Sequence, residues 1–173
     1  MIPALTPRDM VVTSRGLWFW GRLFPFSIGR GGITRHKREG DGATPAGIHH
    51  VAGCLYRADR MASPRVGARA IGPRDLWCDD PQDQNYNMMM RGPYAASHER
   101  LRRGDRQYDL VLITDWNWPH ATPGKGSAIF IHAWRGPGLP TAGCVALAAP
   151  HLRWITKRIE HNTRLIVPPS GIE

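Results

Sequence analysis

The chain has 173 residues, enough for one domain with a real core and too few for two comfortable ones. With 42% hydrophobic and 21% charged residues, 19 Gly and 15 Pro, it suits a folded, loop-rich, mostly β protein better than a helix bundle or a disordered chain. Lysine and arginine outnumber aspartate and glutamate by 23 to 14, giving a formal charge of +9. That favours an anionic partner, whether nucleic acid, anionic lipid or an acidic cell-wall polymer, but the basic residues are scattered and do not choose among them.

In chain order, Met10 to Ile28 reads as a strand, a turn near Ser14 to Gly16, and further short β runs, a meander opening. The apolar run "GLWFWGRLFPFSIG" within it is interrupted by Arg22 and Pro25 and lacks a small-residue cleavage site, so it reads as strands and not as a secretory signal or membrane span. Gly29, Gly31 and Gly32 are followed by no Gly-Lys-Ser/Thr, which argues against a phosphate cradle. Pro45 blocks helix, and Gly47 to Tyr56 reads as extended. His49 and His50 are adjacent there and face opposite sides, which excludes a simple same-face metal pair.

Residues 57 to 107 show little apolar periodicity and many turn formers, the mark of an ordered functional loop when aromatics and cysteine are present. Trp77 is expected as a core anchor, with Asp79, Asp80, Asn85 and Asn87 fixing turns. "YDLVLITDWN" (108–117) and "SAIFIHAW" (127–134) are the strongest strands. Leu152, Ile155 and Ile159 at helical spacing, with Pro150 in an early turn, predict one amphipathic helix from about Leu147 to Ile159, and "TRLIVPP" closes with a strand.

Cys54, Cys78 and Cys144 have no CxxC spacing and leave at least one thiol unpaired, so neither a disulfide framework nor a zinc ribbon is indicated, although a Cys54–Cys78 bridge stays open. "GPGLPTAGCVAL" (136–147) places Cys144 after a glycine and before the expected helix start. A helix N-terminus or a neighbouring imidazole activates a thiol, and His132 lies on the strand before this loop. The N–H groups of Ala142, Gly143 and Cys144 are expected to converge on an oxyanion. On these features alone a buried, structural cysteine remains the alternative.

The segments "IFIH" and "TAGC", with "TPAG" (Thr44 to Gly47) upstream, resemble the YkuD-type L,D-transpeptidases from about residue 10 to 167. That resemblance implies a mainly β, YkuD-like catalytic domain of sandwich- or barrel-like mixed sheets with a helix after the cysteine, the chain 1–173 forming a single such domain. It implies Cys144 as nucleophile, His132 as general base, Ala133 as the main-chain carbonyl that orients the imidazole, and Gly143 as the flanking turn residue. The implied substrate is the peptidoglycan stem peptide, whose L-configured carbonyl forms a thioester before an amine of a second stem attacks, with the glycan strand as a further contact. No metal or organic cofactor, no nucleic acid and no membrane span are implied; a periplasmic monomer is expected, although the sequence shows no export signal.

Three departures from the family pattern bear on substrate. Ala142 replaces a usual histidine, Ala146 replaces a common arginine, and the interval between His132 and Cys144 is short and carries Pro137 and Pro140. With "WCDD", "YN" and "SHER" resembling a proteobacterial subgroup, they tilt the expectation from 3,3 cross-links toward 1,3 links, made at the first stem residue. Thr141, Ala142, Pro137, Pro140 and Trp134 are expected around the donor. His98, Glu99 and Arg100 are suited to diaminopimelate or a stem carboxylate, with a Glu99–Arg100 ion pair as the structural alternative. A carboxypeptidase or endopeptidase using the same Cys–His pair, and a non-enzymatic basic binding module working through Arg102, Arg103 and Arg106, are the rival functions.

Overall fold

A computed structural model describes residues 4–161 and 163–169; the ends of the expected domain lie outside them. In chain order come β1 (Met10–Thr13), β2 (Gly16–Phe19), β3 (Arg22–Phe24), β4 (Phe26–Ser27), β5 (Ile33–Thr34), β6 (Thr44–Pro45), β7 (Gly47–Tyr56) and β8 (Arg69–Ala70). There follow β9 (Asp75–Cys78), β10 (Met89–Arg91), β11 (His98–Arg100), β12 (Leu110–Thr114), β13 (Phe130–Ala133), β14 (Val145–Leu147), α1 (Ala149–Thr156), the one α-helix among the described residues, and β15 (Arg164–Val167).

The main sheet runs β3-β2-β1-β15-β7-β12-β13-β14-β4, with β8 added alongside β7. Phe24 and Phe26 are neighbours but for Pro25, yet they belong to strands at opposite ends of that path, so the sheet curls almost into a barrel. Pro25 has no N–H to give a ladder, which lets the chain leave one edge and begin the other. Pairing is mixed: β1 with β15, β7 with β8 and β13 with β14 are parallel, and the other pairs of this sheet antiparallel.

Every residue of β12 is buried, so alternation no longer separates inside from solvent and instead separates two cores. Leu110 and Leu112 join the larger core, with Ile131, Val145, Leu147 and the α1 residues Leu152 and Ile155. Val111 and Ile113 face a second core around Trp77, Tyr108 and Phe130. A three-stranded sheet, β10-β9-β11, closes over this second core, where the sequence shows only irregular chain. Its strands are three or four residues long, shorter than any window in which periodicity registers.

The expected helix is shorter and later. Val145 and Leu147 pair in parallel with β13, and this ladder takes the residues between Cys144 and Ala149 out of the helix. All three cysteines are free: Cys54 sits in β7 against the larger core and Cys78 in β9, so no Cys54–Cys78 bridge forms.

Candidate active site

Strand parity turns the thiol and the imidazole to the same face. In the parallel β13–β14 ladder, His132 is level with Ala146 and Ile131 with Val145, which brings Cys144, the residue before β14, beside Phe130. Ile131, Ala133, Val145 and Leu147 point into the larger core, so Phe130, His132 and Cys144 face the other way. The Phe130 N–H donates to Cys144 Sγ at 3.4 Å, and the thiol donates to the Ala128 carbonyl at 3.1 Å.

The "TAGC" turn is held from within and from "TPAG". Thr141 Oγ1 accepts the Gly143 N–H at 3.1 Å and donates to the Cys144 carbonyl at 2.6 Å. Thr44 Oγ1 accepts the Gly29 N–H at 2.9 Å and donates to the Gly143 carbonyl at 2.8 Å, so two distant motifs meet at one turn. Gly143 has φ +145°, and a Cβ there would lie 2.9 Å from the Ala43 carbonyl oxygen, so a side chain is refused on both counts. Two expectations are corrected by this geometry. Cys144 precedes a strand and not a helix, so no helix dipole bears on its sulfur, and the Gly143 N–H is spent on Thr141 instead of pointing at an oxyanion.

His132 Nδ1 lies 2.8 Å from the Ala133 carbonyl, an arrangement that puts the ring proton on Nδ1 and leaves Nε2 with a free lone pair. The Tyr108 ring meets the imidazole edge-on, with centroids 5.1 Å apart. Tyr108 donates its hydroxyl to Glu99 Oε1 at 2.7 Å, and the Arg103 guanidinium lies over the Tyr108 ring at 5.0 Å and 3.7 Å from the same carboxylate oxygen. Glu99 therefore pairs with Tyr108 and Arg103, and not with Arg100 as the structural alternative would have it.

Burial dominates the electrostatics. It depresses His132 to about 4, and it pushes the Cys144 thiol up to about 12 with the nearby Glu99 charge adding to the rise. The resting pair is thus a neutral thiol beside a neutral imidazole, not a thiolate–imidazolium pair. Burial also raises Glu99, against the opposing effect of the Tyr108 hydrogen bond.

Cys144 and His132 line one cavity of about 590 Å³. Of the residues expected around substrate, Trp134, Pro140, Thr141, Ala142, Gly143, His98 and Glu99 border it; Pro137 does not, and Arg100 faces a separate cavity. Sequence reasoning missed Tyr108, Gln107, Arg30 and Lys37, which also line it, and named Arg103 only for a rival binding surface. Tyr108 had a legible signal, since it opens the strong strand segment 108–117, but nothing local marks an arginine or lysine as cavity-facing. Lys37 is buried and paired with Asp41, and Arg102 and Arg103 are tied to Asp59 and Asp105, which commits much of the positive charge to internal ion pairs.

The family model for the L,D-transpeptidase catalytic domain, YkuD, matches residues 11–167. No curated protein and no solved structure matches the chain. A curled mixed sheet and a cysteine and histidine facing one cavity accord with that match, and the chain belongs to the YkuD family of L,D-transpeptidase catalytic domains, cysteine transpeptidases whose activity implies peptidoglycan cross-linking.

Proposed function

We propose that Cys144 and His132 carry out the transpeptidation, with Cys144 as nucleophile and His132 as acid–base. The observation that carries this is the β13–β14 parity, which turns both side chains into one cavity while their strand neighbours enter the core. From the neutral resting pair, the thiol proton passes from its bond with the Ala128 carbonyl to His132 Nε2 as sulfur attacks the stem carbonyl. The tetrahedral centre collapses, the C–N bond breaks, and the leaving amine takes the proton from the imidazolium. The acceptor amine then attacks the thioester, gives a proton to Nε2 and expels the sulfur, which is reprotonated. The Ala133 carbonyl holds the imidazole in the required tautomer throughout.

The cross-link register is 1,3. Ala142 and Ala146 leave out two polar side chains of the usual pattern, and the short loop contributes Leu139, Pro140 and Thr141 as a close cavity wall beside the thiol. A short proline-bearing wall with no polar side chain at positions 142 and 146 suits the first stem residue, near the sugar, over a terminal one. Glu99 faces the acceptor ammonium of diaminopimelate and His98 its neighbourhood. This chemistry belongs outside the inner membrane, in the periplasm, and among the described residues no helix is long and apolar enough to cross a membrane.

Mass spectrometry of defined muropeptides with wild-type protein and Cys144→Ala tests the reading. Dimers that require Cys144 and fragment to a donor carbonyl at the first stem residue are expected. Dimers linked through the third residue overturn the register alone, and hydrolysed monomers without dimers replace transfer by hydrolysis. No cysteine-dependent product from folded protein overturns the assignment.

A further inference from the structure

A second cavity of about 510 Å³ lies against the three-stranded sheet and is lined by Arg74, Arg100, Arg102, His98, Tyr94 and Asp75, among others. Register explains its relation to the first. Glu99 is level with Trp77, and that face of the sheet packs toward Phe130 and the cavity of Cys144. His98 and Arg100, level with Cys78 and Leu76, alternate with Glu99 and turn to the opposite face. The sheet is a partition, and His98 borders both cavities.

The charge of the second cavity is one-sided. Asp75 is buried and occupied by the Gly72 N–H at 2.8 Å. Arg102 shares Asp59 at 3.0 Å with Arg57. Among the described residues, Arg74 and Arg100 make no ion pair and no side-chain hydrogen bond, and both are exposed at the mouth. The Tyr94 ring stands edge-on to His98, with centroids 6.3 Å apart. Two uncommitted guanidinium groups lining one cavity with a tyrosine and an imidazole suit a carboxylate, the group Arg binds bidentately.

We propose that this second cavity binds a free carboxylate of the stem peptide that supplies the acceptor amine, so that donor and acceptor enter on opposite sides of the three-stranded sheet and meet past His98. The inference rests on the transfer reaction proposed above and adds where its second substrate is held. In a stem ending in diaminopimelate the acceptor amine and free carboxylate sit on the same residue, and His98 is the side chain that the two cavities share. Arg74 and Arg100 are binding residues here and touch none of the reacting atoms.

The test compares wild type with an Arg74→Ala/Arg100→Ala protein in three readouts. Acylation by donor alone, read as the mass of the thioester adduct, is expected to proceed at the wild-type rate, while the acceptor KM rises tenfold or more with kcat little changed. Direct binding of a muramyl tripeptide ending in diaminopimelate to Cys144→Ala protein, which needs no chemistry, is expected to weaken by the same factor on adding the two arginine changes. Amidating the stem's carboxylates is expected to weaken binding to the intact cavity equally. An unchanged acceptor KM and unchanged binding overturn the inference and leave the cysteine chemistry standing. Slowed acylation instead means that the carboxylate comes from the donor, which also overturns it. If wild type forms no adduct at all, the transfer reading fails while the binding arm still decides whether the arginines hold a stem carboxylate.

Discussion

The main sheet and the three-stranded sheet contribute to the same cavity in different ways. The main sheet supplies Cys144 and His132 from neighbouring strands whose backbone ladder fixes their spacing and whose next residues are anchored in the core. The three-stranded sheet supplies Glu99 and His98 from a strand of three residues. The loops beside it are held by polar side chains: Asn87 accepts the Trp77 indole N–H at 2.8 Å and the Ala128 N–H at 3.0 Å, and Tyr94 donates to Asp83 at 2.6 Å. The proposed reacting groups sit on the part that a ladder makes rigid, and charge sits on the part assembled from turns. Changes in the first should therefore strike the rate of chemistry, and changes in the second should strike substrate affinity.

The strongest break of this comparison is His132→Gln, which keeps a polar side chain in the ladder and removes the base. The rate of thioester formation is expected to fall by about 10²–10⁴, the usual worth of a positioned acid–base group, with the thermal midpoint nearly kept. A loss below tenfold would mean that ladder parity places a packing residue and nothing more.

His132 also makes stability depend on pH. Its folded value near 4 lies below the ordinary imidazole value near 6.5, so between the two the unfolded chain binds a proton that the folded chain refuses. Stability contributed by the neutral histidine is full above about pH 6.5 and is lost as pH falls toward 4. The loss is roughly 3 kcal/mol, from 1.36 kcal/mol per pH unit. Urea unfolding at pH 7 and pH 4.5 should show a steeper decline for wild type than for His132→Gln, and parallel declines would place the imidazole in solvent.

Gly143→Ala asks how tightly the turn itself is specified. A positive φ and a 2.9 Å approach to the Ala43 carbonyl predict a loss of about 1–3 kcal/mol in chemical denaturation, together with reduced acylation as Cys144 is displaced. Unchanged acylation would show that the sulfur's position does not depend on the Thr44–Gly143 clamp.

How much of this the sequence disclosed follows the same division. The β-rich fold and the strands around Leu110–Thr114 and Phe130–Ala133 were legible, because long buried strands leave local patterns, and the strand-end histidine and glycine-flanked cysteine singled out in the sequence line one cavity. The helix was placed too early, since Ala146 and Leu147 suit either state and only the parallel partner strand decides between them. The three-stranded sheet was not legible, nor was the company of Glu99. A three-residue strand has no period to detect, and the partner of a lone carboxylate is fixed by tertiary contacts that local propensity does not encode. The expected Glu99–Arg100 pair shows why: adjacent residues on a strand face opposite sides, so the arginine went to one cavity and the glutamate to the other.

The smallest change tests the seam between the two regions. Tyr108 precedes β12 of the main sheet, touches His132 with its ring edge, and donates its hydroxyl to Glu99 of the three-stranded sheet. Tyr108→Phe keeps the ring against the imidazole and removes only the hydrogen bond. Glu99 is then left half-buried with Arg103 at 3.7 Å as its remaining partner, and its carboxyl should rise further above the ordinary range. A stability loss of about 1–3 kcal/mol is expected from the lost charge-assisted bond. If chemistry belongs to the ladder and affinity to the turns, acylation by donor alone should change by less than about threefold, while the acceptor KM rises because Glu99, no longer held by the tyrosine hydroxyl, is less well placed and less readily charged to attract an ammonium group. The contrary result is equally readable. A hundredfold drop in acylation with an unchanged acceptor KM would mean that the tyrosine–glutamate pair acts through His132, and that the three-stranded sheet takes part in the chemical step.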